Sequence, residues 1–176
     1  MTTPPDFRFC PACATALHTV LADEDGGPRA RQRCPACGFT HWNNPLPVLA
    51  AVVEYEGRIL LARNAAWTHR MFALIAGFLE AGETPEDGVC REVKEETGLE
   101  AVAAPTLIGV YPHLRHNEIA LCYHVIAHGE IRLSRELSEY RLFAPDAVRC
   151  WHAATGYALA DWLRGRGHTP QFLAEN

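Results

Sequence analysis

Gly77-Phe78-Leu79-Glu80-Ala81-Gly82-Glu83-Thr84-Pro85-Glu86-Asp87-Gly88-Val89-Cys90-Arg91-Glu92-Val93-Lys94-Glu95-Glu96-Thr97-Gly98-Leu99 is the stretch on which the fold of this chain turns. Its opening, 77–83, holds two glycines and reads as a loop. Thr84 is a helix cap, Pro85 suits the first helical position, and Glu86 and Asp87 complement the first turn. Gly98 fits the residue just past the end, so a helix is predicted over 85–97. Glu92, Glu95 and Glu96 lie at i, i+3 and i+4 and project from one face. Val89 and Val93 mark the buried side, and Glu96 falls within about 20° of Val89 at 100° per residue. Carboxylates bordering an apolar stripe need compensation, and a divalent cation supplies it. Oxygen ligands on a rigid helix suit Mg²⁺ or Mn²⁺, ions that also hold substrate phosphates, which points to phosphate-ester or phosphoanhydride chemistry. The alternative is a solvated acidic face steadied by Arg91 and Lys94, and helix geometry alone leaves both readings open.

Working outward, 48–54 is a β-rich run, Glu56-Gly57 a turn and 58–63 a second strand, which together predict a hairpin. The stretch 64–70 reads as a loop and 72–76 as a short buried strand. Strands are predicted near 106–111, 118–127 and 142–143, and a last helix over 155–164. Strands then helix, twice over, suggest an α+β domain layered as an α/β/α sandwich.

The first forty residues read as a separate unit. Cys10-Pro11-Ala12-Cys13 and Cys34-Pro35-Ala36-Cys37 are two C-x2-C knuckles separated by twenty residues. Two facing knuckles complete a tetrahedral S4 site, the geometry of structural Zn²⁺. A redox pair or four buried thiols are the competing readings, and the duplication argues against both. Gly38 stands where a knuckle needs a left-handed residue, and 23–28 reads as the tip of a hairpin. The expected organisation is a zinc ribbon over 1–43 and a catalytic domain over 44–176. Arg29, Arg31 and Arg33 are candidates for nucleic-acid contact, against the plainer reading of a solvated face. Cys90, Cys122 and Cys150 follow no ligand spacing and read as buried thiols.

The chain has 176 residues, 48% hydrophobic and 21% charged, a composition that excludes disorder as the main state. A net charge of -5 gives no bulk pull on nucleic acid or an acidic membrane. No segment approaches the roughly 20 apolar residues of a span, so no membrane partner is expected. Met1–Asp6 lacks the regions of a secretory signal, and the chain is read as cytosolic.

The 23-residue stretch from Gly77 to Leu99 resembles the Nudix box, G-x5-E-x7-R-E-U-x-E-E-x-G-U with U apolar, and matches its nine defined positions. The cysteine ribbon, the joint Trp42-Asn43-Asn44-Pro45 and the segment 137–143 extend the resemblance to zinc-ribbon Nudix hydrolases, among them the NADH and FAD/ADP-ribose pyrophosphatases. The resemblance implies hydrolysis of a nucleoside diphosphate linked to another moiety, with water attacking one phosphorus. It implies Glu92, Glu95, Glu96 and the Gly77 carbonyl as metal ligands, Arg91 as orienting the glutamates and Glu83 as its partner. Outside the box, Glu136 matches a distal metal glutamate, while Glu118 and Glu139 are candidates for substrate contact. The general base is either Glu92 or a glutamate outside the box. Phe78 and Trp42 match aromatics that stack on the substrate base. The NADH pyrophosphatases carry a Ser-Gln-Pro-Trp-Pro-Phe-Pro-like run where this chain reads Gly109-Val110-Tyr111-Pro112-His113-Leu114-Arg115-His116, a departure that argues against NADH specificity, while the joint Trp42-Asn43-Asn44-Pro45 and the segment Tyr140-Arg141-Leu142-Phe143 look closer to the FAD/ADP-ribose side. His113 and His116 read as a surface pair or a phosphate contact rather than a metal pair. A homodimer is a further implication of the resemblance. Two other readings share the fold: removal of nucleotide-metabolite caps from RNA 5′ ends, and a zinc-ribbon binding module on an inactive scaffold. The box separates the last, because an inactive scaffold has no need of Arg91 and all three glutamates.

Overall fold

The computed structural model describes residues 7–174, so the reading of Met1–Asp6 as lacking a signal lies outside the described residues. The chain divides into two compact units, one built from the chain up to Pro45 with Arg115–Asn117, the other from Leu46–Leu114 and the chain from Glu118 on.

The first unit is a three-stranded antiparallel sheet of β1 (His18–Ala22), β2 (Arg29–Arg33) and β3 (Thr40–His41). The hairpin tip falls at 23–28 as expected, closed by Gly27 N–H donating to the Glu24 carbonyl at 2.7 Å. The two knuckles repeat one backbone pattern. Ala14 N–H donates to Cys10 O at 2.8 Å and Gly38 N–H to Cys34 O at 3.0 Å, and Ala14 and Gly38 share the left-handed conformation.

In the second unit, β4 (Leu46–Tyr55) runs through the middle of a seven-stranded mixed sheet. It pairs in parallel with β9 (Glu118–His128) along its full length. Its other edge is shared: β5 (Arg58–Asn64) takes Val53–Tyr55, and β6 (Ile75–Phe78) takes Val48–Ala51. The β4–β5 turn has positive φ at both Glu56 and Gly57, the type I′ geometry that suits strand twist. The helix α1 (Pro85–Thr97) follows, then β7 (Glu100–Ala101) and β8 (Thr106–His113), both antiparallel to β9, and β10 (Leu137–Phe143) outside β5. A short parallel pair, β11 (Arg149–Cys150) and β12 (Gln171–Phe172), brackets the helix α2 (Ala154–Gly165).

The sheet is covered on both faces, so Leu49–Val53 are all fully buried and read as one apolar run. Alternate side chains enter different cores. Leu49, Ala51 and Val53 pack with Leu60, Val125 and the α1 residues Val89 and Val93. Ala50 and Val52 pack with Ile59, Leu61, Cys122 and the α2 residues Leu159 and Leu163. This is the expected α+β, α/β/α sandwich. Two strands differ from expectation. β6 ends on Phe78 rather than 76, because Gly77 pairs with Leu49 inside the strand. β10 begins at Leu137, five residues early, as the strand outside β5 at the sheet's rim. Cys122 and Cys150 are buried as expected, and Cys90 is half-buried. Among the described residues, no helix is long and apolar enough to cross a membrane.

Candidate active site

The helix α1 begins and ends where its sequence dictates. Asp87 N–H donates to Thr84 Oγ1 at 3.1 Å, and Gly98, with φ 73°, donates its N–H to Lys94 O at 2.8 Å. With Val89 and Val93 locked in the core, Arg91 reaches back across the first turn. Its Nε and Nη2 donate to Glu83 at 3.0 and 2.7 Å, a bidentate pair. Its Nη1 donates to Glu92 Oε1 at 2.7 Å and Glu95 Oε2 at 3.0 Å, and Nη2 also reaches the Phe78 carbonyl at 3.1 Å. Arg91 and the Glu80 amide, which donates at 2.7 Å, hold the Glu83 carboxyl down at about 2. The same carboxylates, Glu83 foremost, hold the Arg91 guanidinium protonated. Gly77 exists for Glu92: a Cβ there would lie 2.1 Å from Glu92 Cδ, so only glycine lets the carboxylate rest against the strand.

Glu96 is the buried member, 9% exposed. Burial, then the charges of Glu92 and Glu136, push it up to about 7 against the Ala76 amide, which favours the ionised form. Glu136 is brought there by backbone. Arg132 N–H donates to Thr97 O at 2.7 Å and Ser134 N–H to Glu96 O at 2.9 Å, which stitches the loop onto the carbonyls left open at the end of α1. Ser134 Oγ then accepts from Glu136 N–H at 3.2 Å. A buried carboxylate pressed by two others is a site a divalent cation relieves, and its donors are the hard oxygens Mg²⁺ and Mn²⁺ take.

Phe78 points the other way. Gly77 pairs with Leu49 on the α1 side, whereas Phe78 pairs with Val48 on the α2 side, half-exposed. Glu118 lies on that side too, its carboxylate 3.1 Å from His113 Nδ1. Glu139, opposite Arg63, shares the face and is engaged by Arg70 at 2.8 Å and Arg141 at 3.4 Å. These cations, Arg70 foremost, lower its pKa. The candidates thus divide: Glu83, Arg91, Glu92, Glu95, Glu96 and Glu136 cluster on the α1 side, while Phe78, Glu118 and Glu139 stand on the opposite face.

In the first unit the thiols of Cys10, Cys13, Cys34 and Cys37 converge within 4.8 Å, with neighbouring Sγ atoms 3.4 to 3.6 Å apart. Tetrahedral ligands at a Zn–S distance of about 2.3 Å stand roughly 3.8 Å from one another, so the cage fits structural zinc. Trp42 is 54% exposed, and the Arg31 guanidinium lies 5.3 Å from its ring centroid. Arg31 is in turn held by Glu24 at 2.7 and 3.0 Å and donates to Trp42 O at 2.6 Å. Arg31 therefore secures an indole within its own unit.

Two features escaped sequence reading. The loop 132–136 is positioned by main-chain amides, which leave no side-chain signature. Gly88 left one: a glycine inside a helix costs about 1 kcal/mol against alanine, which asks for a reason. A Cβ on Gly88 would lie 2.5 Å from Leu49 Cδ1 and 2.7 Å from Glu83 Oε1, so its bareness lets Glu83 lie across the helix.

The family model described as NUDIX domain matches residues 44–163, and that described as Nudix N-terminal, a zinc-ribbon model, matches 8–43. A protein named NAD-capped RNA hydrolase NudC from Vibrio parahaemolyticus is 40% identical over 52% of this chain and 33% of its own length. One of the same name from Mycobacterium bovis is 36% identical over 64% of this chain and 37% of its own. The chain thus spans about a third of the length of the curated relatives it matches. A crystal structure of a NUDIX hydrolase from Nitrosomonas europaea, 24% identical, covers 95% of this chain and 97% of that one with a TM-score of 0.77, a likeness of fold.

Proposed function

The chain belongs to the Nudix family, and on that premise we propose that it hydrolyses the pyrophosphate bond of a nucleoside diphosphate linked to another moiety, a dinucleotide or ADP-ribose-like compound such as NADH, FAD or ADP-ribose. The observation that carries this is Glu96, buried and pressed by Glu92 and Glu136 beside an Arg91 whose single positive charge is already shared among Glu83, Glu92 and Glu95.

Mg²⁺ or Mn²⁺, when bound, neutralises the pyrophosphate and activates water. Glu92, Glu95, Glu96, Glu136 and the Gly77 carbonyl are its ligands. Arg91 fixes the rotamers of Glu92 and Glu95, and Glu83 fixes Arg91. Glu92, placed against Gly77 and able to take a proton from water, is the candidate base, with a glutamate outside the box as the other. Phe78 stacks on the base, Trp42 is the aromatic candidate that the ribbon itself carries, and Glu118 and Glu139 take polar contacts with the substrate.

The ribbon over 1–43 carries Zn²⁺ and the domain over 44–176 the chemistry, a division supported by the family-model ranges. Four reduced thiols suit the cytoplasm, and a homodimer is the assembly we assign. A second reading, removal of nucleotide caps from RNA 5′ ends, is favoured by the names of the relatives.

A hydrolysis screen over NADH, NAD⁺, FAD, ADP-ribose, diadenosine polyphosphates and nucleoside triphosphates, with Mg²⁺ or Mn²⁺ and with Glu96→Gln as control, tests the proposal. Turnover of a dinucleotide or ADP-ribose, lost in the variant, is expected. No turnover by zinc-loaded, folded protein sinks the metabolite reading.

A further inference from the structure

Beyond the carboxylate cluster, the loop 64–72 and β10 carry a stacked ring pair and two exposed guanidiniums. The rings of Trp67 and His69 stack 6.0 Å apart and 6° from parallel. Arg70, with 63% of its side chain exposed, is pinned by Glu139 at 2.8 Å. Arg141, 45% exposed, lies over the Phe72 ring at 4.7 Å and shares the same carboxylate. The loop is held in shape: Arg63 Nη2 donates to Trp67 O at 3.1 Å and Ala66 N–H to Asn64 Oδ1 at 2.8 Å. Its root is tied to the carboxylate site, because Ala65 N–H donates to Glu136 O at 2.7 Å.

One carboxylate between two guanidiniums leaves this spot positive on a chain whose net charge is -5. Glu139 lies three residues along the chain from Glu136, about 10 Å at 3.3 Å per strand residue. The pairing with Glu139 and Phe72 orders the two arginines without burying them. A stacked ring pair on the same loop as an ordered guanidinium suits a single-stranded nucleic acid, because unpaired bases stack on planes and phosphates meet cations. An acidic peptide would use the charges and leave the two parallel rings without a role. A free dinucleotide has no backbone phosphates beyond its pyrophosphate to place here.

We propose that Trp67, His69, Arg70 and Arg141 form a docking surface for a single-stranded polynucleotide joined to the scissile pyrophosphate. The proposal rests on the placement of the pyrophosphate at Glu92, Glu96 and Glu136 made above.

The test has two arms on the full chain. In the first, fluorescence anisotropy follows binding of a 5′-monophosphate RNA octamer, which needs no turnover. The double variant Arg70→Gln, Arg141→Gln weakens binding at least tenfold and lowers the salt slope by about 1.4, at about 0.7 per single-strand phosphate contact. Trp67→Ala weakens it severalfold and Trp67→Phe restores it, while neither an RNA duplex nor polyglutamate competes. In the second arm, kcat/KM for a dinucleotide-capped RNA falls by the same factor in the double variant, and kcat/KM for the free dinucleotide stays within twofold. Unchanged octamer binding, equal competition by polyglutamate, or a parallel fall on both substrates overturns the proposal. If the wild type hydrolyses neither substrate, the proposed function fails, and the octamer arm still decides the surface.

Discussion

Arg91 and Glu83 stand eight residues apart in the chain and meet as a two-pronged pair, Nη2 to Oε1 at 2.7 Å and Nε to Oε2 at 3.0 Å. With its fork filled, the guanidinium has its remaining N–H groups aimed at Glu92, Glu95 and the Phe78 carbonyl. Lysine keeps the charge and loses the fork. Arg91→Lys is therefore expected to lower kcat by about tenfold to a hundredfold, the range in which misplacement of catalytic groups is felt, with Tm changed by only a few degrees. Steady-state kinetics beside a thermal melt check this; a variant with wild-type kcat would show that the fork positions nothing.

The close approach at Gly77 predicts a second loss. A Cβ there meets Glu92 Cδ, Oε1 and Oε2 at 2.1 to 2.3 Å, so Gly77→Ala must swing Glu92 out of place. Gly88→Ala pushes on Glu83 Oε1 and Leu49 Cδ1 and disturbs Arg91 one step removed. Both variants should keep their far-ultraviolet circular dichroism and lose activity, Gly77→Ala more severely. Activity retained in Gly77→Ala would place the Glu92 carboxylate elsewhere during turnover.

Much of this was legible because it is local. Thr84, Pro85 and Gly98 carry both ends of α1 in their own chemistry, and the cysteine spacing carries the cage. The rest depends on partners distant in sequence. Gly77 looks like loop until Glu92 is seen lying on it, which is why β6 runs two residues further than its apolar run. The early part of β10, Leu137-Ser138-Glu139-Tyr140-Arg141, mixes polar and charged residues with a single leucine and a single tyrosine, a composition shared with many loops. Glu136 is aimed by the amides of Arg132 and Ser134, and amides are the same at every residue.

Removing zinc should act on the first unit. Its three short strands supply little core, and the four thiols hold both knuckles. Cys34→Ser, or a strong chelator, is expected to abolish bound zinc and expose 18–41 to protease, while the cores around Leu159 and Val93 keep their melting transition. Zinc stoichiometry by atomic absorption and limited proteolysis read this out. Full resistance without zinc would show that the ribbon folds on other contacts.

His124 sets a pH dependence of stability. Its ring is about nine-tenths buried, and burial lowers its pKa despite the Glu54 carboxylate at 2.8 Å. The folded chain thus holds this proton less tightly than the unfolded chain, whose histidine titrates near about 6.5. Its stabilising share is present above that value and is lost as pH falls through it toward the lower folded pKa. Glu96, pushed up to about 7, acts in the opposite sense over the same window, so the His124 share is read against His124→Gln, which does not titrate: from pH 7.5 to 5.5 the wild type should lose Tm relative to that variant. The Glu83 contribution, with a folded pKa of about 2, is lost only below about 4.5 and falls outside this window. Parallel Tm profiles for wild type and variant would assign the pH dependence to other groups.

Glu96→Gln separates structure from metal binding most sharply. The wild-type carboxylate is buried against Glu92 and Glu136, so a neutral isostere removes a burden from the metal-free protein. In EDTA at pH 8 the variant should melt at or above the wild type. With Mn²⁺ at about a hundred times its dissociation constant the wild type gains about 2.7 kcal/mol, roughly 5–10 °C for a chain of this size. The variant, short of its buried ligand, should gain little of that and lose turnover with it. The order of the two proteins in the melt therefore reverses on adding the ion. A variant that melts lower in EDTA, or that keeps the full Mn²⁺ shift, would remove Glu96 from the ligand set and leave Glu92, Glu95 and Glu136 to account for it.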